Sequence, residues 1–376
     1  MQSANYEQGQ INRRFFMFSS SNKNTKRNII LIIGFLGVLL VGVMIAGHSN
    51  FSYAETSPKT TPSATVSKTD KPEPTPTALP KPAGTKISAF STKNGLILRW
   101  NKVTKNNSGY EIQYATTKNF KSKKSVWVKK NTQVSKIIKN LKKNKKYYVR
   151  IRAYYQPEQK KVYGNFSNVT SMTTAGDVTF LHKEGFYCEK ISETTKKRMS
   201  GNSYKENDVV QLSDLRYVRV QHYNYKGKIQ SGELVVNKKI ANNTVKVFYE
   251  LFQKKYPIQS MKLIDDYGAD DETSMEANNT SAFNFRNASG TTHFSKHAYG
   301  LAIDINPRIN PYIKGSVILP KNGKAYAQRD VSKCTGTYKK NMIHKNDTAY
   351  KIFTKYGFTW GGNWNSLKDY QHFQAN

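Results

Sequence analysis

An uncharged segment near the N-terminus most constrains how this chain can fold. Residues 29–47 carry no charged side chain, and at about 1.5 Å per residue they nearly span the ~30 Å hydrocarbon core of a bilayer. We therefore predict a transmembrane helix over 29–47. Basic residues are concentrated before this segment, so residues 1–28 are expected in the cytoplasm and everything after residue 47 outside. A cleaved signal peptide is the alternative, and it would export the same remainder as a secreted protein.

A change in composition follows the uncharged segment. Residues 48–84 are dominated by Thr, Pro, Ser, Lys and Ala, and they include the run Pro72-Glu73-Pro74-Thr75-Pro76. Such a stretch lacks the large apolar side chains that form a core, so we predict a disordered linker. A chain of 376 residues with an internal linker is expected to contain more than one folded domain.

Residues 85–175 alternate short apolar runs with turn residues, a pattern typical of an all-β sandwich. The runs cover residues 87–90, 96–100, 110–114, 125–128 and 147–154. The region resembles a fibronectin type III domain. The resemblance implies that Trp100 is the core indole of the second strand and that Tyr147, six residues after Leu141, forms the tyrosine corner.

Positive charge is concentrated in the region that resembles a fibronectin type III domain. The chain has 60 Lys and Arg against 25 Asp and Glu, a net charge of +35. Residues 86–175 contain 21 basic residues and only Glu111 and Glu158 as acids, so 21 − 2 gives +19. Such a field favours anionic partners, and for an exported domain these include anionic wall polymers rather than nucleic acid. A solvated surface that merely keeps a spacer soluble is the alternative.

The remaining residues, 176–376, mix helical and strand-like patterns. Residues 234–236 are typical of a strand, residues 243–256 have apolar side chains at helical spacing, and residues 261–264 are typical of another strand after Pro257. This order predicts an α+β domain with a small antiparallel sheet.

Cysteine content limits the metal chemistry of this domain. Cys188 and Cys334 are the only cysteines, which excludes a disulfide-rich scaffold and a cysteine-based structural zinc site. One disulfide between them and two separate buried thiols both remain open.

Two polar clusters carry residues that can bind a metal. In the first, His297 precedes residues 301–306, whose alternation predicts a strand that presents Asp304. In the second, Asp369 and His372 are three residues apart, which predicts a shared face on a helical turn. Two imidazoles and one carboxylate fill three positions around zinc and leave the fourth for water. A separate carboxylate, Asp369, can then take the proton of that water.

The pattern Ser295-x-His297-x-x-Gly300-x-Ala302-x-Asp304, followed by Asp369-x-x-His372, resembles the signature of VanY-type zinc D-alanyl-D-alanine carboxypeptidases and L-alanyl-D-glutamate endopeptidases. The resemblance extends over residues 214–376. It implies a zinc peptidase that cuts a peptide bond in peptidoglycan stem peptides. It also implies roles for five residues: zinc ligands His297, Asp304 and His372, general base Asp369, and substrate-orienting Arg286.

Several of these roles have alternatives. Ser295 and Trp364 are expected to contact substrate, although Trp364, like Trp360, also fits core packing. Arg286 can instead be a structural ion-pair residue. His293 lies outside the signature and is expected at the surface or beside the site. At the level of function, the alternative to a peptidase is a non-catalytic wall-adhesion module that uses the basic fibronectin-like domain.

Overall fold

The computed structural model describes residues 78–288 and 290–375. The predicted cytoplasmic segment, the predicted transmembrane helix over 29–47 and most of the predicted linker lie outside these residues. Among the residues described, no helix combines the length and the apolar character needed to cross a bilayer.

A β-sandwich forms where the alternating pattern predicts one. Its strands are β1 (Ile87–Thr92), β2 (Gly95–Trp100), β3 (Gly109–Ala115), β4 (Lys124–Val128), β5 (Ser135–Ile138), β6 (Lys146–Tyr155), β7 (Val162–Tyr163) and β8 (Thr170–Thr173). One sheet has the order β1-β2-β5, and the other has the order β4-β3-β6-β7 with β8 also paired to β6. Trp100 and Tyr110 meet edge to face at 5.3 Å between ring centroids in the core. The Tyr147 hydroxyl accepts a hydrogen bond from Lys142 N at 3.2 Å, the contact expected of a tyrosine corner.

A four-stranded antiparallel sheet with a helix on one face follows. It contains β9 (Val178–Lys183), β10 (Phe186–Lys190), α1 (Glu193–Met199), β11 (Leu215–Tyr223), β12 (Ile229–Asn237) and α2 (Lys238–Gln253), and its strand order is β12-β11-β10-β9. Helix α2 buries Val245, Phe248 and Leu251 in the largest apolar cluster among the described residues. The same cluster includes Ile303 and Phe373, which are the chain neighbours of Asp304 and His372.

The sandwich contacts this sheet at a close joint. The Tyr187 hydroxyl donates to Ser91 Oγ at 2.8 Å, and Gly185 N donates to Thr92 Oγ1 at 3.3 Å. Gly185 has φ +82°, and a Cβ there would lie 2.9 Å from Ile97 Cδ1 of the sandwich. The joint therefore requires glycine at this position, both for its backbone conformation and for the close approach.

The C-terminal part of the chain supplies short elements. They are β13 (Ser260–Met261), α3 (Asp271–Glu276), β14 (Asn279–Thr280), β15 (Ala302–Asp304), β16 (Tyr312–Lys314), β17 (Val317–Leu319), α4 (Thr348–Lys355), β18 (Thr359–Trp360), β19 (Lys368–Asp369) and β20 (His372–Gln374). Strands β13 and β14 pair in parallel. Two antiparallel sheets, β15-β20-β18 and β17-β16-β19, stand where the sequence predicts one small sheet.

Two predicted elements differ from the observed ones. Helix α2 covers 238–253 rather than 243–256, because the Asn237 side chain caps it by accepting from Lys239 N and Lys255 adopts φ +53° beyond its end. The strand predicted over 261–264 ends at Met261. The Asn279 side chain bonds both backbone groups of Lys262, which removes them from the strand ladder.

The two thiols are free and buried. Cys188 lies in the cluster that contains α2, whereas Cys334 packs with Ile309, Tyr326 and Met342. The structure thus has two separate buried thiols, and the disulfide alternative is not observed.

Candidate metal centre

A pair of antiparallel strands brings Asp304 and His372 together. Strands β15 and β20 are in register with Asp304 directly opposite His372. His297 reaches the same point from the turn that precedes β15, where Ser295 Oγ accepts a hydrogen bond from His297 N at 3.2 Å. Gly300 completes this turn with φ +67°, and a Cβ there would lie 2.7 Å from Asn237 N. Only glycine allows the chain to reverse at this position.

Three side chains converge on one point. His297 Nε2 lies 3.2 Å from Asp304 Oδ2 and 3.2 Å from His372 Nδ1, while His372 Nδ1 lies 3.1 Å from Asp304 Oδ1. All three residues are at most 7% exposed. Together they form a His-Asp-His group that could bind a metal.

The outward ring nitrogens fix the orientation of both imidazoles. His297 Nδ1 lies 2.5 Å from the Ala282 carbonyl oxygen, and His372 Nε2 lies 3.0 Å from Gln374 Oε1. An oxygen acceptor at each outward nitrogen allows that nitrogen to carry the ring proton, so that the inward nitrogen can offer its lone pair to an ion. Two imidazole nitrogens and a carboxylate that face one another in a buried site need a shared proton or a metal cation between them.

The carboxylate and the imidazoles of the group shift one another's pKa values toward the charged forms. Burial opposes ionisation of Asp304, but the adjacent imidazoles of His297 and His372 hold the pKa of its carboxyl well below the usual range. Burial alone would lower the pKa of His372, yet Asp304 and Asp369 raise it to about 9. The site thus attracts positive charge strongly.

The donor set fits zinc in type and spacing. Imidazole nitrogen and carboxylate oxygen are common zinc donors, and bonds of about 2.0 Å in a tetrahedron place donor atoms about 3.3 Å apart. The three observed separations of 3.1–3.2 Å are close to that value. The three residues can therefore occupy three corners around a single ion and leave a fourth position open.

Asp369 adds a second carboxylate next to this group. It ends strand β19, and its Oδ1 atom is buried without a hydrogen-bond partner among the described residues. Burial raises the pKa of Asp369 to about 6; the charge of Asp304 contributes to the rise, while His372 partly offsets it. A carboxyl group with a pKa near neutrality is suited to accept and return a proton.

The predicted helical turn between Asp369 and His372 is not observed. Lys368–Asp369 pairs with β16 and His372–Gln374 pairs with β15, so the two residues lie on either side of a tight turn between strands. The backbone hydrogen bonds go to distant strands rather than along the chain, which a spacing of three residues does not reveal.

The other predicted site residues have mixed surroundings. Arg286 forms an ion pair with Asp271, and its Nη1 donates to the Asn287 carbonyl oxygen at 3.0 Å. The half-buried Trp364 ring lies 5.3 Å from the His372 ring, between centroids. The other three residues differ in exposure: Ser295 is buried, Trp360 is in the core, and His293 is exposed.

Sequence reasoning missed two residues that support the group. Gln374 binds the outward nitrogen of His372, and its position two residues further along the same strand is the signal that could have identified it. A Cβ at Gly361 would lie 2.6 Å from Asp369 O and 3.3 Å from His372 Cβ. Gly361 thus lets the turn between β19 and β20 pack closely against it, and Trp360-Gly361-Gly362 gave no indication of this role.

Residues 289–375 match the family model described as D-alanyl-D-alanine carboxypeptidase. This match includes all four residues of the centre, His297, Asp304, Asp369 and His372. The family match supports the interpretation of this part of the chain as a peptidase. Residues 80–165 match the fibronectin type III domain, which agrees with the observed sandwich. No curated protein matches the chain.

Solved structures similar to the chain match over about a quarter of its length. The chicken CNTN1 FN1–FN3 domains are 25% identical, with 26% of this chain and 33% of that chain covered and a TM-score of 0.23. A protein described as a myokine is 16% identical (25% and 98% covered, TM-score 0.22). The fn3 domain of human collagen alpha-1(XX) chain is 19% identical (26% and 88% covered, TM-score 0.22). The present chain thus spans a third of the CNTN1 structure.

Proposed function

We propose that residues 176–376 form a zinc peptidase domain that hydrolyses an amide bond in peptidoglycan stem peptides. The convergence of His297 Nε2, His372 Nδ1 and the Asp304 carboxylate within 3.2 Å carries the proposal. The match of residues 289–375 to the carboxypeptidase family supports the substrate class.

His297, Asp304 and His372 would hold the zinc ion. When bound there, zinc supplies Lewis-acid chemistry that polarises an amide carbonyl and makes a water molecule more acidic. The Ala282 carbonyl and Gln374 keep the two imidazoles turned toward the ion through their outward nitrogens. The chain thereby provides a rigid donor set before any metal arrives.

Asp369 acts as the general base in this proposal. Its unpartnered Oδ1 accepts the proton of the attacking water, and the same oxygen returns that proton to the leaving amine as the carbon–nitrogen bond breaks. The pKa of about 6 places the carboxyl close to the range in which both transfers are efficient.

Substrate contacts are proposed for Arg286 and Trp364, and Ser295, which the sequence also placed at the substrate, is assigned a different role. The Arg286 side chain is 32% exposed despite its pairing with Asp271, so part of the guanidinium can face a substrate carboxylate or carbonyl. The Trp364 ring lies tilted beside the His372 ring and can cover the bound peptide. The buried Ser295 holds the His297 turn, which favours a supporting role over direct contact.

Two bonds are candidates for cleavage: the terminal D-alanyl-D-alanine bond and the internal L-alanyl-D-glutamate bond. Asp369 stands where carboxypeptidases that the sequence resembles often carry Glu, and endopeptidases often carry Asp. The proposal also places the domain outside the cell, tethered by the predicted helix over 29–47 or secreted.

Mass spectrometry of stem peptides incubated with the zinc-loaded full chain tests this proposal. We expect either loss of one terminal alanine or division of the peptide after its first residue, and the masses identify the bond. The Asp369→Asn protein is the matched control for a contaminating peptidase. Protein that holds one equivalent of zinc yet leaves both bonds intact would refute the proposed activity.

A further inference from the structure

Nine lysines lie in two short segments of the sandwich. Residues 116–124 and 139–146 contain no acidic residue, and every one of their lysines is exposed. These lysines are Lys118, Lys121, Lys123, Lys124, Lys139, Lys142, Lys143, Lys145 and Lys146.

Strand register places both segments at the same end of the sandwich. Strand β3 ends at Ala115, which is opposite Tyr148 near the start of β6. The segment 116–124 follows β3 and the segment 139–146 leads into β6, so the two flank one end of this strand pair. We call this end, formed by residues 116–124 and 139–146, the basic end.

The charge of the basic end is almost uncompensated. Within the described part of the chain, the only ion pair from these nine lysines joins Lys143 Nζ to Asp177 at 3.1 Å, and both side chains are more than half exposed. The loops at the opposite end of the sandwich, residues 101–108, 129–134 and 156–161, carry six lysines and Glu158. The positive charge is therefore greater at the basic end by 9 − 5 = 4.

We propose that the basic end binds a linear polymer that carries a phosphodiester in each repeat. Lysine ammonium groups are mobile, hydrated point charges that contact phosphates without a fixed geometry. A cluster of them suits a flexible polyanion with repeating charges better than a single small anion, because no buried donor set surrounds one position.

The surroundings of the lysines favour a polymer over a lipid bilayer. Phe120 is the only aromatic residue of the segment 116–124, and it is buried with the Arg150 guanidinium 4.2 Å from its ring. Leu141 packs against the sandwich core. Neither side chain is free to insert into a membrane interface, so the basic end offers charge alone.

The experiment compares two charge-reversed full-length proteins that differ only in location. One carries Lys118, Lys121, Lys142 and Lys145→Glu at the basic end. The other carries Lys102, Lys105, Lys129 and Lys130→Glu at the opposite end, where the side chains are also exposed. Binding of purified linear poly(glycerol phosphate) and of phosphatidylglycerol vesicles is measured at low and at physiological salt.

We expect the basic-end variant to bind the polymer at least about tenfold more weakly, while the opposite-end variant loses less than about threefold. Parental binding should weaken as salt rises, because exposed charges are screened. Equal losses in the two variants would show an effect of net charge only and would overturn the proposal. Binding to vesicles without binding to the polymer would also overturn it. Stem-peptide cleavage is a separate measurement, so failure here leaves the peptidase proposal intact.

Discussion

The sandwich and the C-terminal region place their charged residues in opposite ways. In the sandwich, lysines point outward, and among its described residues Arg152–Glu111 and Lys143–Asp177 are the ion pairs found. In the region after residue 176, two carboxylates are enclosed by basic side chains. Glu233 binds Arg198 and Arg219, and Asp304 binds the imidazoles of the candidate metal centre.

The two arrangements of charge suit different kinds of ligand. Outward charges are screened and contribute through their number, so the sandwich is suited to dispersed contact with a polyanion. Buried charges interact strongly and must be compensated, so the enclosed carboxylate and imidazoles are suited to one ion at a defined position.

Replacement of a buried histidine should abolish metal binding, whereas replacement of an exposed one should not. We expect His297→Ala to lose zinc and all detectable peptidase activity, because one of three donors is missing. His293→Ala is the matched control, since this exposed histidine lies only four residues away. Zinc content and turnover check both variants. A His297→Ala protein that binds zinc as tightly as the parent would show that the buried His297 is not a zinc ligand.

Removal of the second carboxylate should separate metal binding from chemistry. We expect Asp369→Asn to retain zinc but to lose about 100-fold or more in turnover, because the amide cannot accept the proton of water. Steady-state kinetics alongside zinc analysis measures the two effects. An Asp369→Asn protein that hydrolyses substrate at the parental rate would show that another group is the base.

The acceptor behind His372 should tune zinc affinity. We expect Gln374→Leu to weaken zinc binding by about 10- to 100-fold, because His372 loses the partner of its outward nitrogen. Gln374→Glu retains an acceptor oxygen and should stay close to the parent. Competition with a chromophoric chelator measures both affinities. Identical zinc affinities in the parent and both variants would show that Gln374 does not influence metal binding.

A buried carboxyl at the joint between the two regions should make stability depend on pH. Burial raises the pKa of Glu189 from 4.5 to about 7, although its Oε2 accepts a hydrogen bond from Gly176 N. Between these pH values the unfolded chain ionises while the folded chain keeps its proton. The free energy of unfolding should therefore fall as pH rises through this window, by at most about 3 kcal/mol.

The variant Glu189→Gln isolates this contribution. Denaturant unfolding of parent and variant between pH 4.5 and 7.5 should show a smaller decline in the variant, because the amide does not titrate. Parallel curves for the two proteins would mean that Glu189 ionises normally in the folded chain.

The strands of the sandwich were largely predictable from sequence, because apolar and polar side chains alternate along a strand whose one face is buried. Leu96–Trp100 and Tyr110–Tyr114 lie within observed strands for this reason. The turn between β19 and β20 was not predictable, since their partner strands β16 and β15 are more than 50 residues away in the chain. Sequence spacing named His297, Asp304 and His372, but only the fold shows which nitrogen of each imidazole faces the others.

X-ray absorption at the zinc edge on the full-length protein identifies the donor atoms of the candidate metal centre. We expect one equivalent of zinc with only nitrogen and oxygen donors at about 2.0 Å, two of them imidazole nitrogens. A spectrum with sulfur donors, or protein that takes up no zinc at all, would contradict this expectation.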